Sequence, residues 1–132
     1  MKYFVDSSYI IALIKEDDSL HGKSLEFLDL LDSNDCYIND LIINEVITVI
    51  GNKIDLKTAN LAYGLLNSTF NIINGCSIKN FNEKTMIHYN KFSTKLSFTD
   101  CSIITCMKSE NIKNLISFDN EFKKVNSITL IN

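Results

Sequence analysis

Residues 2–14 read Lys-Tyr-Phe-Val-Asp-Ser-Ser-Tyr-Ile-Ile-Ala-Leu-Ile, a strand pattern followed by a helix pattern. The run at residues 3–5 is apolar without alternation, which is typical of a parallel strand covered by helices on both faces. Asp6 ends this run, and Ser7 or Ser8 can cap the helix that follows. Because ligands of open α/β sheets collect at the carboxyl ends of the strands, Asp6 is the first candidate for a functional residue.

The composition is that of one ordinary globular domain. The chain has 132 residues, of which 45% are hydrophobic and 22% charged, and it contains no proline that would mark a linker. We therefore expect a single domain over residues 1–132. No apolar run approaches the roughly 20 residues of a membrane span, and no secretory signal is found, which predicts a cytoplasmic protein without membrane contact. The four cysteines lack C-x-x-C spacing and are expected to be buried thiols rather than zinc ligands.

Strand and helix patterns alternate along the rest of the chain. This alternation, with few direct hairpins, predicts a parallel sheet covered by helices on both faces. Asn39 or Asp40 is expected to cap the third helix and Asp55 the fourth. Strands are predicted at residues 3–5, 36–38, 70–73, 115–118 and 127–131, and helices at about 9–14, 20–31, 40–52, 56–66, 82–92 and 98–111.

Four acidic residues occupy positions where apolar residues are expected. Asp6 and Asp119 each follow an apolar strand. Glu45 lies three or four residues from apolar positions of its helix, which predicts an inward orientation. Asp100 has apolar residues at the third, fourth and seventh positions after it, so it is predicted to face inward near its helix N-terminus, where an anion is favoured. All four can meet at one edge of the sheet, although for any one of them alone a structural role is the commoner case.

Clustered carboxylates repel one another and need a positive partner. All 13 basic residues are lysine, so the bidentate partner that arginine provides is missing. Mg²⁺ or Mn²⁺ fits such hard oxygen ligands, and a site of this kind activates water for attack on a phosphodiester. Hydroxyl groups of Ser7 and Ser117 lie beside two of the acids in the sequence. The residues therefore predict a metal site that hydrolyses phosphodiesters.

Four segments resemble, in order, the motifs of the PIN domain family, and more narrowly those of the VapC-type toxin nucleases. The resemblance implies a three-layer α/β/α sandwich with a parallel five-stranded sheet and the first strand at its centre. It also implies that Asp6, Glu45, Asp100 and Asp119 are the catalytic, metal-binding acids. The segments are residues 4–10 (Phe-Val-Asp-Ser-Ser-Tyr-Ile), 44–46 (Asn-Glu-Val), 96–104 (Leu-Ser-Phe-Thr-Asp-Cys-Ser-Ile-Ile) and 115–122 (Leu-Ile-Ser-Phe-Asp-Asn-Glu-Phe).

The same resemblance defines supporting residues and leaves one assignment open. Ser7 and Ser117 would be supporting hydroxyls, with Ser117 standing where the family often has threonine. Glu121 competes with Asp119 for the role of the fourth acid. Lysines of the second half of the chain could line a phosphate-binding rim for RNA, or they could form only a solvated surface. These lysines are Lys79, Lys84, Lys91, Lys95, Lys108, Lys113, Lys123 and Lys124.

The function predicted from these features is a Mg²⁺- or Mn²⁺-dependent endoribonuclease, the toxin of a toxin–antitoxin pair inhibited by a small antitoxin protein. Apolar residues on more than one face of the helices at 40–52 and 56–66 predict a homodimer through this region. Three alternatives remain: an RNA-processing PIN nuclease without an antitoxin, a catalytically idle PIN-like module that binds RNA or protein, and a receiver-like regulatory domain. The last is disfavoured because Asp6-Ser7-Ser8 lacks paired acids and two of the four acids lie within helices.

Overall fold

The computed structural model of the protein describes residues 1–92 and 95–132. Its five strands pair in parallel in the order β3-β2-β1-β4-β5, so the first strand is central and the predicted parallel sheet is confirmed. Residues 3–5 of the central strand are buried, as expected for a strand covered on both faces. The strands are β1 (Lys2–Val5), β2 (Asp35–Asn39), β3 (Asn71–Ile73), β4 (Asn114–Ile116) and β5 (Thr129–Ile131).

Two layers of helices enclose the sheet. The connections from β1 to β2 and from β2 to β3 advance in one direction, whereas the connection from β3 to β4 returns across the sheet. Because such crossovers are right-handed, the helices of the returning connection lie on the opposite face. The helices are α1 (Ser7–Ile14), α2 (His21–Leu25), α3 (Leu28–Ser33), α4 (Asp40–Lys53), α5 (Leu56–Thr69), α6 (Phe81–Phe92) and α7 (Phe98–Ser109), with 3₁₀ turns at Gly75–Ser77 and Asn120–Lys124.

Packing agrees with this layer assignment. Helix α4 packs against α1 and α5 on one face, and α6 packs against α7 on the other. Helix α7 is buried from Cys101 to Met107 and supplies much of the core of its layer. The result is the predicted three-layer α/β/α sandwich. None of the helices in the described part of the chain is long and apolar enough to span a membrane.

The prediction of one helix over residues 20–31 is wrong. The segment forms two short helices, α2 and α3, with Glu26 and Phe27 between them. Phe27 has the non-helical angles φ −102° and ψ 6°, and its ring packs against Tyr9 and Phe118 at centroid distances of 6.1 and 6.4 Å. The break coincides with this aromatic cluster. Packing of the rings stabilises the fold more than one further helical residue would.

The strand order places a crevice next to β1. From the neighbouring strands β1 and β4, the chain leaves in opposite directions along the sheet. In open α/β sheets, ligands bind in the crevice outside the carboxyl ends of such strands. Asp6 follows β1 directly, and Ser117 and Asp119 follow β4. Helix α4 starts where β2 ends, and α7 precedes β4, so the N-termini of both helices lie at this same edge.

Candidate active site

Asp6 is the buried centre of the site. Its residue surface is only 3% exposed, and both carboxylate oxygens accept hydrogen bonds. Oδ1 accepts the Ser7 backbone N–H at 2.8 Å, while Oδ2 accepts the hydroxyls of Ser8 at 2.8 Å and Ser117 at 2.7 Å. The N-cap of α1 is therefore Asp6 itself, so the prediction that Ser7 or Ser8 caps this helix is wrong.

Ser8 is the supporting residue that sequence reasoning missed. Besides donating to Asp6, its Oγ accepts the Phe118 backbone N–H at 3.1 Å. Ser117 Oγ in turn accepts the Asp119 backbone N–H at 3.0 Å. These two hydroxyls thus tie the carboxylate after β1 to the loop after β4. The Ser7 hydroxyl lies 3.5 Å from Asp6 Oδ1, so Ser7 acts mainly through its backbone. The sequence did contain a signal for this role: Ser8 is the second residue of a helix whose N-cap is the acid Asp6.

Asp100 is fixed at the start of α7 by reciprocal hydrogen bonds. Its backbone N–H donates to Ser97 Oγ at 3.0 Å, and Asp100 Oδ2 accepts the Ser97 backbone N–H at 3.1 Å. This capping box gives hydrogen-bond partners to the backbone N–H groups of Ser97 and Asp100 at the helix start. The carboxylate is half-buried, and its position at the helix N-terminus is the one predicted.

Glu45 does not point into the core, contrary to the sequence prediction. The buried stripe of α4 consists of Ile42, Val46 and Ile50, and Glu45 is one residue, about 100° around the helix, from Val46. Its side chain is exposed and lines a cleft of about 420 Å³ that Asp100 also lines. The partly apolar flank of α4 that suggested burial therefore borders this cleft instead. The other lining residues are Leu41, Asn44, Thr48, Val49, Ser97 and Thr99.

Asp119 and Glu121 differ in their partners. Asp119 caps the 3₁₀ turn, and its Oδ1 accepts the Glu121 backbone N–H at 2.9 Å. The Glu121 carboxylate instead lies 2.8 Å from Lys124 Nζ, and this pairing lowers the pKa of Glu121 below its ordinary value. The charge of Asp119, and not that of Glu121, is among the causes that raise the pKa of Asp100.

The pKa values report that the carboxylates act on one another. Burial raises the pKa of Asp6, and the charge of Glu45 adds to the rise, while the bonds from Ser117, Ser8 and Ser7 oppose it. Burial also raises the pKa of Asp100, with further contributions from the charges of Asp6 and Asp119. The four acids that the sequence singled out therefore influence one another through their charges, Glu45 acting on Asp6 and both Asp6 and Asp119 acting on Asp100.

The chain is similar in sequence to a known protein family. The sequence profile of the PIN domain matches residues 3–128, nearly the whole chain. The chain belongs to the PIN domain family. Comparison with curated protein sequences gives no significant match.

Solved structures share the PIN fold of this chain at low sequence identity. VapC20 of Mycobacterium tuberculosis, described as a toxin that cleaves the sarcin–ricin loop, superimposes with a TM-score of 0.81 at 20% identity, covering 94% of this chain and 95% of that one. The DNA-bound VapBC of Salmonella typhimurium gives 0.73 at 15% identity, covering 99% and 97%. VapBC2 of Rickettsia felis, bound to promoter DNA, gives 0.68 at 18% identity, covering 100% and 98%. These similarities establish the fold of the PIN domain.

The donor set of this PIN domain suits a hard cation. Among the described residues, ion pairs join Lys2 to Glu110, Lys15 to Asp17 and Lys124 to Glu121, so no lysine neutralises the four site acids. Within the same residues, no group of three or more His, Cys, Asp or Glu side chains is close enough to hold a metal ion. Mg²⁺ commonly uses only one or two carboxylates and keeps several waters. An open site of that kind fits, whereas a closed protein cage does not.

Proposed function

We propose that this PIN domain is an endoribonuclease that uses Mg²⁺ or Mn²⁺ to hydrolyse RNA phosphodiester bonds. The observation that carries the proposal is the buried carboxylate of Asp6, which faces further carboxylates without a cationic partner among the described residues. An uncompensated buried charge is costly, and a divalent cation would remove that cost.

Asp6 and Asp100 are the residues that would hold the cation. When bound, the ion would neutralise their charge and stabilise the charge that develops on the phosphate during attack by water. Ser8 and Ser117 keep Oδ2 of Asp6 in one orientation through bonds of 2.8 and 2.7 Å. Asp100 is held by its capping box with Ser97. The protein therefore contributes oriented oxygen ligands rather than a nucleophile of its own.

The two remaining acids have more open positions. Glu45 lies at the exposed side of the cleft, where its carboxylate can accept a proton from, or orient, the attacking water. Asp119 is our choice for the fourth acid, because it acts electrostatically on Asp100, whereas Glu121 is paired with Lys124. Both can bind the cation through water molecules, a common arrangement for Mg²⁺.

We further propose that the protein is the toxin of a toxin–antitoxin pair and acts in the cytoplasm. Support comes from its structural neighbours, which include the VapBC complexes of Salmonella typhimurium and Rickettsia felis and a toxin–antitoxin complex from Klebsiella pneumoniae. The partner would then be a small antitoxin protein that blocks access to the site.

Incubation of the purified protein with a pool of structured RNAs tests the nuclease proposal. Cleavage is expected with Mg²⁺ or Mn²⁺ and is expected to stop when a chelator is added. Asp100→Asn keeps the shape and most hydrogen bonds of the residue but removes the ligand charge. This variant should therefore not cleave the RNA even when Mg²⁺ or Mn²⁺ is present. Undiminished cleavage in the chelator, or a wild-type protein that is folded but inert with both metals, would contradict the proposal.

A homodimer through α5 is proposed from its exposed apolar residues. Leu61 and Leu65 are 68% and 52% exposed one turn apart on α5. The apolar positions of α4, by contrast, mostly pack on the core. Apolar faces of this kind are commonly covered by a second subunit. Other exposed apolar residues of this region are Ile54, Leu56, Tyr63 and Ile72.

Light scattering during size-exclusion chromatography measures this assembly. The wild-type protein is expected at twice the chain mass of 15.0 kDa, and Leu65→Glu is expected to shift it to the monomer because a charge cannot be buried in an apolar interface. Leu25→Glu is a matched control, since Leu25 lies on α2 and is 47% exposed. A wild-type monomer, or a dimer that Leu65→Glu leaves intact, would refute this interface.

A further inference from the structure

Three neighbouring cavities are lined by α6, α7 and residues 125–128, and each includes Lys108 in its lining. Their volumes are about 390, 200 and 220 Å³. The first two also share His88, and the last two share Ile104 and Ser127. We call this depression the basic groove, because its titratable lining residues are all basic: Lys84, His88, Lys91, Lys108 and Lys113.

The charge of the basic groove has one sign. In the described part of the chain, no aspartate or glutamate lines any of the three cavities. Among the described residues, the lysines that form ion pairs are Lys2, Lys15 and Lys124, and none of them belongs to the groove. Burial lowers the pKa of His88, and the charges of Lys108 and Lys91 lower it further. The groove is thus a positive region on a protein whose formal net charge is −3.

Helix α7 connects the groove to the candidate active site. Asp100 stands at its first turn and Lys108 in its last turn. Eight residues of helix span about 12 Å, which corresponds to three or four nucleotides of a stacked strand at about 3.4 Å each. Because both residues belong to one helix, the groove and the candidate active site keep a fixed separation.

We propose that the basic groove binds the phosphodiester backbone of the RNA strand three to four nucleotides from the bond that is cut. This inference rests on the proposed nuclease function and names the surface on which the substrate lies. An acidic catalytic site repels a polyanion, so attraction of the RNA must come from positive charge elsewhere on the protein. Lysine ammonium groups bind phosphate as point charges and do not select a base sequence.

The side chains of the groove fit a flexible strand. Hydroxyl and amide groups of Ser109, Asn111 and Asn126 add polar contacts along its length. Ile87 is 68% exposed at one end and offers an apolar surface beside Lys84. Lys91 lies 5.3 Å from the Phe92 ring centroid, so this lysine is positioned over an aromatic face that also lines the groove.

Binding of a fluorescein-labelled 20-nucleotide RNA, followed by fluorescence anisotropy, tests the inference. All proteins carry Asp6→Asn so that turnover does not interfere. Relative to that parent, Lys91→Gln/Lys108→Gln is expected to raise Kd about tenfold at low salt. The slope of log Kd against log salt is expected to fall by about 1.4, or about 0.7 for each phosphate that no longer has a lysine partner. Lys91→Arg/Lys108→Arg is expected to retain the parent affinity, because it keeps both charges.

Lys23→Gln/Lys57→Gln is the matched control, since it removes the same charge from the exposed surfaces of α2 and α5. Equal weakening by the groove and control pairs, or unchanged binding in the groove pair, would overturn the inference. The inference would also be overturned if the groove pair lost affinity for adenosine monophosphate, which carries a single phosphate, but kept its affinity for the RNA. If groove variants bind RNA poorly but the wild-type protein does not cleave, the groove stands and the nuclease proposal fails. If the wild-type cleaves and the groove pair binds RNA normally, only the groove inference fails.

Discussion

Asp6→Asn is expected to reduce RNA cleavage roughly 1,000-fold while the protein remains folded, the loss of about 4 kcal/mol of transition-state stabilisation. Asparagine has nearly the same shape, and it is as good an N-cap as aspartate, so α1 should start at the same residue. The negative charge that would hold the cation is lost, and the amide nitrogen that replaces one carboxylate oxygen no longer accepts a hydrogen bond. Cleavage rates under single-turnover conditions, beside circular dichroism spectra, measure both parts of this expectation.

Two comparison variants separate charge from general disturbance. Asp32→Asn removes an exposed carboxylate on α3 and should leave cleavage unchanged. Ser8→Ala keeps the charge of Asp6 but removes one hydrogen bond to Oδ2, so a smaller loss of about 10- to 100-fold is expected. Activity of Asp6→Asn above that of Ser8→Ala would show that Asp6 is not a metal-binding residue.

Divalent metal is expected to raise the melting temperature of the wild-type protein by roughly 10 °C at 100 times its Kd, because binding to the folded state alone contributes about 2.7 kcal/mol. The physical source is the relief of repulsion among carboxylates around Asp6 and Asp100. Differential scanning fluorimetry with Mg²⁺, Mn²⁺ or chelator gives the shift. It should shrink strongly in Asp6→Asn and persist in Asp32→Asn.

The same pair of acids gives this shift a pH dependence. In the folded protein the pKa values of Asp6 and Asp100 are raised. Without metal, the folded state is therefore most stable at low pH. It loses stability as the pH rises from about 4, the carboxyl pKa in the unfolded chain, through the raised pKa values of the folded protein. Metal binding requires the deprotonated acids, so the metal-induced rise in melting temperature should increase with pH over this window. A metal effect that is constant or decreases would argue against ligation by these two residues.

Much of the architecture could be predicted from local pattern. The unbroken apolar run before Asp6 predicted a strand with both faces covered, and β1 is the buried central strand. The positions of Asp6 and Asp119 after strands, and of Asp100 at a helix start, follow from the same chain-local signals. Asp55 caps α5 as predicted, and of the two candidates Asn39 and Asp40 it is Asn39 that caps α4, since a cap involves only residues two or three apart.

Features that depend on several elements could not be predicted in the same way. The break between α2 and α3 lies at Phe27, which packs against rings from α1 and from the loop after β4. The orientation of Glu45 depends on which flank of α4 meets the core and which meets the cleft. Ser8 reaches Phe118 across 110 positions of the chain.

The sequence by itself determined the order of the strands, most of the helices and the caps of α4 and α5, because these depend on side-chain periodicity and on contacts within one helical turn. Only the tertiary structure decided which acids are buried, which hydroxyls hold Asp6 and where the lysines converge. Those properties arise when parallel strands bring distant residues to one edge of the sheet and when α6 packs on α7, which no local pattern encodes.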